Sequence, residues 1–123
     1  MGIIPPNVHR VLDYVAVIAF ALAPTLLHLS GNTRMLAYAL AVIHLIVTLA
    51  TDFSATRGRP LPFPLHGYIE LVVGIVLAVV PFVRHWTYGA GRFFPAIGVA
   101  LIVIWLLTRY RFTIVRDTNA PVV

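Results

Sequence analysis

Four long apolar segments, separated by short polar stretches, dominate the hydrophobic pattern of this chain. They cover residues 8–29, 35–53, 66–83 and 93–110. Each is close to the ~20 residues that a helix needs to cross ~30 Å of hydrocarbon. β-branched residues are common in these segments, but an open sheet in lipid would leave its edge groups unpaired. The pattern therefore predicts an all-α membrane protein with four transmembrane helices.

The chain contains an internal repeat. Proline, histidine and threonine residues recur 57 residues later without a gap, and His66, for example, follows His9 at this offset. The residues that recur include Pro5 and Pro62, Pro24 and Pro81, His28 and His85, and Thr51 and Thr108. Each repeat holds two apolar segments, which predicts a duplicated helical hairpin. We expect one membrane domain, 1–123, with repeats at about 5–53 and 62–110 and a linker at 54–61. Because each repeat crosses twice, the two hairpins should run parallel, with a pseudo-two-fold axis along the membrane normal.

Two prolines lie late in the first helix of each repeat. Pro24 and Pro81 each lack a backbone donor, so they should kink or end their helices near one membrane surface. The first segment is long, contains Asp13 and has an internal counterpart. We therefore expect it to be retained as a span and not cleaved as a signal peptide.

The composition supports a lipid environment. Hydrophobic residues make up 60% of the chain and charged residues 11%, more apolar surface than a soluble domain of this size can bury. Cysteine and lysine are absent, so disulfides and thiolate sites are excluded and all nine basic residues are arginines. Because these arginines flank apolar segments, we expect them to set topology and to contact lipid phosphates; nucleic acid is not an expected partner.

The arginines are unevenly divided between the two membrane sides. One side, with both termini and the linker, would hold Arg10, Arg57, Arg59, Arg109, Arg111 and Arg116. The other side would hold Arg34, Arg84 and Arg92. The positive-inside rule therefore predicts cytoplasmic termini, in what we expect to be a bacterial inner membrane.

All four acidic residues are predicted on that same side, namely Asp13, Asp52, Glu70 and Asp117. Asp52 and Arg109 occupy equivalent positions of the two repeats with opposite charge. Since ionisable groups near lipid seek partners, we expect an ion pair that joins the repeats; a gated pair on a transport path is the alternative.

A His-x-x-x-Asp/Glu motif begins the first helix of each repeat. His9 and Asp13 form one pair and His66 and Glu70 the other, each pair lying on one helical face. If the two helices face each other, two imidazoles and two carboxylates converge. They could then ligate Zn, Mn or Fe, or act as a proton relay. Simple structural pairing of each acid with the helix dipole and its histidine is the third interpretation.

A stripe of small and polar residues runs along the second helix only. It comprises Ala37, Ala41, His44, Thr48, Thr51 and Asp52, at helical steps of three and four. Small residues allow close packing, and His44 near mid-membrane is a functional candidate. A neutral His44 bonded to Thr48 or to a carbonyl is the simpler alternative.

Paired histidines also raise the question of haem, held either by His9 with His66 or by His28 with His85. No cofactor is expected, with haem or a divalent metal as alternatives. The chain lacks a Gly-rich phosphate loop, a His-Glu-x-x-His motif and a Gly-x-Ser-x-Gly elbow. Few residues remain to build an active site, so we expect no enzymatic activity.

The pattern Pro-x-x-x-His-x-x-Leu-Asp, then an apolar run ending in Pro and a second span ending Thr-Asp, resembles the SPW-repeat family of small bacterial membrane proteins. The resemblance covers residues 5–110. The Ser-Pro-Trp of that family is here Ala23-Pro24-Thr25 and Val80-Pro81-Phe82, so only the proline matches. The resemblance implies a two-helix membrane repeat and transfers no activity or site residue.

Three functions follow as hypotheses. The first is a non-catalytic subunit or scaffold that self-associates or joins a larger membrane complex. The second is a small channel or carrier for protons, ions or a small solute, using the polar stripe of the second helix. The third is a haem- or metal-binding redox protein.

Overall fold

The computed structural model describes residues 2–54 and 58–110 and contains four long helices. They are α1 (Pro6–Leu26), α2 (Gly31–Ala50), α3 (Phe63–Val83) and α4 (Tyr88–Leu107). All four are long and apolar enough to cross a membrane. The predicted all-α, four-span membrane fold is confirmed. Four charged residues on which the predicted topology depends lie outside the described residues, namely Arg57, Arg111, Arg116 and Asp117.

The helices begin two to five residues earlier than predicted, and three of them end three residues earlier. Both α1 and α3 carry a proline in their first two positions, where a missing N–H costs nothing. α2 and α4 end because Thr51 and Thr108 adopt extended backbone. Thr51 and Asp52 therefore belong to a short strand and not to the second helix.

The predicted effect of the two prolines is seen at the ends of α1 and α3. Pro24 and Pro81 each lie two residues before the last helical residue. Beyond them, His28 and His85 both have a left-handed φ of 53°. The next residues donate backbone hydrogen bonds back to the prolines, from Leu29 to Pro24 at 3.0 Å and from Trp86 to Pro81 at 2.9 Å. These histidines thus end their helices in a left-handed cap.

Short backbone pairings join the two hairpins at the other end of the bundle. β1 (Thr51–Asp52) runs parallel to β2 (Leu61–Pro62), with Thr51 opposite Leu61. Thr108 pairs in the same way with Ile4. The two pairings are equivalent at the offset of 57 residues, as from Thr51 to Thr108. The segment after each hairpin is therefore held by the segment that precedes the other hairpin.

Each hairpin packs its own two helices together, and small residues allow the closest contact. A Cβ added to Gly98 would lie 2.6 Å from the carbonyl oxygen of Gly74, so the α3 and α4 backbones touch. We call the end of the bundle with the His28 and His85 caps the cap side. Toward that side, aromatic and aliphatic side chains fill the centre of the bundle, including Phe20, Leu77, Phe94 and Leu101. This core leaves the polar groups of the bundle at the strand-bearing end.

Candidate metal centre

Five ionisable side chains meet inside the bundle near the strand-bearing end. His9 and Asp13 come from α1, His66 and Glu70 from α3, and His44 from α2. Their exposed fractions range from 0% to 8%. The i, i+4 spacing places each His and acid on one helical face, and the two faces meet because His9 contacts Glu70 and His66 contacts Asp13. We call these five residues the His–carboxylate centre.

Each imidazole contacts both carboxylates. His9 Nε2 lies 3.2 Å from Asp13 Oδ1 and 2.9 Å from Glu70 Oε2. His66 Nε2 lies 3.1 Å from Asp13 Oδ2 and 3.5 Å from Glu70 Oε1. His44 Nε2 lies 3.5 Å from an oxygen of each acid. All three Nε2 atoms therefore share the same pair of carboxylates.

None of these six contacts is a hydrogen bond. The Nε2 atoms of all three histidines, Asp13 Oδ2 and both Glu70 oxygens are buried without a hydrogen-bond partner. Buried polar atoms are nearly always paired, so a group of unpaired ones needs an explanation. Here one donor atom from each of four residues, His9, Asp13, His66 and Glu70, lies within 4.8 Å of the others. That is the arrangement expected around a common central ion.

Two threonines fix the tautomers of His9 and His66. Thr108 Oγ1 donates its hydrogen to the Ile104 carbonyl at 2.5 Å and lies 2.8 Å from His9 Nδ1. Thr51 Oγ1 likewise donates to the Val47 carbonyl at 2.6 Å and lies 2.7 Å from His66 Nδ1. A hydroxyl has one hydrogen, so each threonine oxygen must accept from Nδ1–H. In a neutral imidazole the Nε2 lone pair then faces the carboxylates, as in histidines that bind metals.

Aromatic rings close the centre on the side of the strands. The His9 ring lies 5.1 Å from Phe63 and 5.7 Å from Tyr110, and the His66 ring lies 5.6 Å from Phe53. Burial, together with the charge of Glu70, raises the pKa of the Tyr110 phenol, which lies beyond the end of α4. These rings exclude water and lower the local dielectric constant, which strengthens the interactions among the charged groups.

The charges of the centre must be balanced, because a buried unpaired carboxylate costs several kcal/mol. Asp13 and Glu70 supply two negative charges at 1% and 2% exposure. A divalent cation or two imidazolium groups would each bring the net charge to zero. Imidazolium groups would donate Nε2–H to the carboxylates, and the Nε2–oxygen distances of 2.9 to 3.2 Å at His9 and His66 are short enough for that alternative as well.

The donor atoms suit a first-row divalent metal. Donor atoms of His9, Asp13, His66 and Glu70 all lie within 4.8 Å of one another. Ligands bound to one ion at about 2.1 Å are at most about 4.2 Å apart, so a contraction of a few tenths of an ångström suffices. Nitrogen and oxygen donors without sulfur favour Zn²⁺, Fe²⁺ or Mn²⁺.

Haem does not fit either pair of histidines. A macrocycle between His9 and His66 would have to displace the carboxylates that both imidazoles contact. His28 and His85 are exposed residues that cap α1 and α3. The structure thus gives these two histidines a backbone role.

The expected ion pair between Asp52 and Arg109 is wrong for the described residues. Asp52 Oδ1 accepts a hydrogen bond from the Ser54 backbone N–H at 3.2 Å. Arg109 Nη2 donates to the Gly2 carbonyl at 3.1 Å. Both helices end before these positions, with extended backbone at Thr51 and Thr108, so Asp52 and Arg109 do not lie on the helical faces from which the ion pair was predicted.

His44 joins the centre, whereas Thr48 does not. His44 lies six residues before the end of α2, about 9 Å along the helix, so it is closer to the strand-bearing end than the predicted mid-membrane position. Thr48 is buried, and its hydroxyl has no hydrogen-bond partner, so it is not the partner of His44 that the sequence suggested.

Sequence reasoning missed the supporting residues of the centre. Thr51 and Thr108 were visible as a repeated pair, and that repetition was the available signal for a shared role. Nothing in the sequence pattern distinguished Phe53, Phe63 and Tyr110 from other aromatic residues at the membrane surface.

Comparison with family models, curated proteins and solved structures finds no match. The SPW-repeat resemblance stays a prediction that depends on the residues quoted for it.

Proposed function

We propose that this protein is a non-catalytic integral membrane protein that binds one divalent transition-metal ion between its two hairpins. The ion is held by His9, Asp13, His44, His66 and Glu70. The observation that carries the proposal is the set of buried Nε2 and carboxylate atoms that lie close together without hydrogen bonds. The fixed tautomers of His9 and His66 support it, because both present lone pairs to the site.

A structural role for the ion is favoured by the number of protein donors. Five side chains are more than the four ligands that close a structural Zn²⁺ site, whereas catalytic zinc sites have three protein ligands and an open position. The ligands come from α1 and α2 of one hairpin and α3 of the other. A metal ion would therefore link the hairpins and add its binding free energy to the stability of the bundle.

A channel or carrier is less well supported. On the cap side of the centre, Phe20 packs beside His44, with ring centroids 6.3 Å apart, and belongs to the apolar core. An ion leaving the centre in that direction would have to cross this core. We propose a metal-bearing subunit of the bacterial inner membrane, with cytoplasmic termini, that self-associates or joins a larger complex.

The metal content of the purified protein tests the proposal. The protein should carry an affinity tag without histidine and be extracted in mild detergent without chelator. Elemental analysis is expected to find one metal ion per chain in the wild type. The variant Asp13→Asn/Glu70→Gln removes both negative charges with little change of shape and should contain almost none. Asp52→Asn is the matched control, because Asp52 lies outside the centre, and should keep its metal.

A reconstitution experiment guards against metal lost during purification or a variant that fails to fold. Wild-type protein is dialysed against chelator and then titrated with Co²⁺, whose visible absorption reports nitrogen and oxygen ligands. Saturable uptake of Co²⁺, displaced by Zn²⁺, supports the proposal. A folded wild-type protein that purifies without metal and takes up none of these ions would overturn it.

A further inference from the structure

A polar cavity of about 150 Å³ lies between α1 and α2 at the strand-bearing end. Asn7, Arg10 and Tyr14 line it from α1, Thr48 lines it from α2, and Arg59 lines it from the connection between the hairpins. We call this space the Arg10–Arg59 cavity. It shares none of the five residues of the His–carboxylate centre but borders it, since Thr51 and Phe53 line the cavity and also contact His66.

The Arg10–Arg59 cavity carries positive charge, and no side chain of the described residues forms an ion pair with either arginine. Arg10 makes no hydrogen bond or ion pair within residues 2–54 and 58–110. Arg59 Nη1 donates to the Leu49 carbonyl, which leaves its other N–H groups available. The cavity lining contains no acidic side chain, and the nearby Asp52 accepts the Ser54 N–H instead. Two guanidinium groups with spare donors are suited to bind an anion.

A buried hydroxyl adds a second, independent feature. Thr48 is 2% exposed, lines the cavity, and has a side-chain oxygen without a hydrogen-bond partner. Leaving a buried hydroxyl unpaired is unfavourable unless a ligand or water completes it. The asparagine and tyrosine side chains provide further donors, so the cavity offers hydrogen bonds to several oxygens of one ligand.

The other repeat shows that this polarity is not imposed by the fold. The positions equivalent to Asn7, Arg10 and Thr48 are Pro64, Gly67 and Trp105, at the same offset of 57 residues. There the corresponding space is lined by Pro64, Tyr68, Trp105 and Tyr110. The Tyr110 ring covers Gly67 so closely that an added Cβ would lie 2.5 Å from it. The corresponding pocket, of about 260 Å³, is thus lined by aromatic residues and proline, whereas the Arg10–Arg59 cavity is polar and cationic.

We propose that the Arg10–Arg59 cavity binds a phosphate-bearing ligand, either the headgroup of a phospholipid or free phosphate. Arginine matches the geometry of phosphate oxygens with paired N–H groups. The cavity lies at the end of two membrane-spanning helices, at the level where lipid headgroups are found. The volume accommodates a phosphate group, while acyl chains would remain on the apolar outer surface of the helices.

Two binding measurements on detergent-solubilised protein test this proposal and separate the two sources. In the first, native mass spectrometry follows the titration of delipidated protein with phosphatidylglycerol or with a diacyl glycolipid that lacks phosphate. In the second, equilibrium dialysis measures binding of radiolabelled inorganic phosphate. The proteins compared are wild type, Arg10→Gln, Arg59→Gln, the double variant, and Arg84→Gln as the matched control. Arg84 is exposed at the opposite end of the bundle.

Specific retention of phosphatidylglycerol over the glycolipid would identify a lipid headgroup, and saturable uptake of inorganic phosphate would identify free phosphate. In either case each single variant should bind on the order of tenfold more weakly, and Arg84→Gln should match the wild type. Equal binding of both lipids together with no phosphate uptake would overturn the proposal. Full binding by the double variant would also overturn it. Unchanged metal content in the variants would show that the fold and the His–carboxylate centre are intact.

Discussion

Replacing Thr108 by Val tests whether the threonines control the metal affinity of the centre. The side chains have nearly the same shape, so the change mainly removes the hydroxyl, which accepts the His9 Nδ1 proton at 2.8 Å and donates to the Ile104 carbonyl. His9 is fully buried, so water cannot take the place of the lost acceptor. The proton can then move to Nε2, where it would occupy the lone pair that faces the carboxylates.

The size of the effect follows from the lost hydrogen bond. Leaving a buried donor unsatisfied costs about 1–3 kcal/mol. Since about 1.4 kcal/mol corresponds to a factor of ten, the metal dissociation constant should rise about 10- to 100-fold, which agrees with measured effects of residues that orient metal ligands. The repeat-equivalent change Thr51→Val should have an effect of similar size, because Thr51 holds His66 at 2.7 Å.

Competition between the protein and a coloured chelator for Zn²⁺ or Co²⁺ measures this dissociation constant. Thr33→Val is the matched control, since the Thr33 hydroxyl donates to the Ser30 carbonyl in an exposed position outside the centre. A Thr108→Val protein that folds normally and binds metal as tightly as Thr33→Val and the wild type would contradict this expectation. In that case the hydroxyl would not determine which nitrogen faces the centre.

Three further predictions concern other positions of the bundle. His44→Leu copies Leu101, the equivalent residue of the other repeat, so it should lower metal affinity in the same chelator competition while the helical circular dichroism stays unchanged. Gly98→Leu should destabilise the protein by at least about 1–3 kcal/mol, seen as a lower melting temperature, because its side chain would overlap the Gly74 backbone. Tyr110→Phe should change stability at pH 7 by less than about 1 kcal/mol, since the buried hydroxyl has no partner. The pKa of this phenol is raised in the folded state, so wild-type stability is retained below about pH 10 and falls above it, and melting curves of Tyr110→Phe should lack this alkaline loss.

The sequence determined the membrane fold because lipid leaves few alternatives. A bilayer requires spans of about 20 apolar residues with internal backbone hydrogen bonds, so the hydrophobic pattern was enough to find all four helices. The 57-residue repeat, which relates His9 to His66, also showed that the His-x-x-x-Asp/Glu motif occurs once in each half of the chain. The pattern did not predict where α2 and α4 end. Thr51 and Thr108 follow the apolar segments without a break, but their backbones pair with Leu61 and Ile4 and are not helical.

The way in which these groups combine depends on tertiary packing. Helical spacing fixes the face on which a side chain lies, but not which faces of different helices meet. Packing of α1, α2 and α3 brings His9, His44 and His66 to one pair of carboxylates, whereas Asp52 and Arg109 turn to separate neighbours. These contacts join residues distant in the chain, and they depend on the backbone pairings that hold each hairpin against the other.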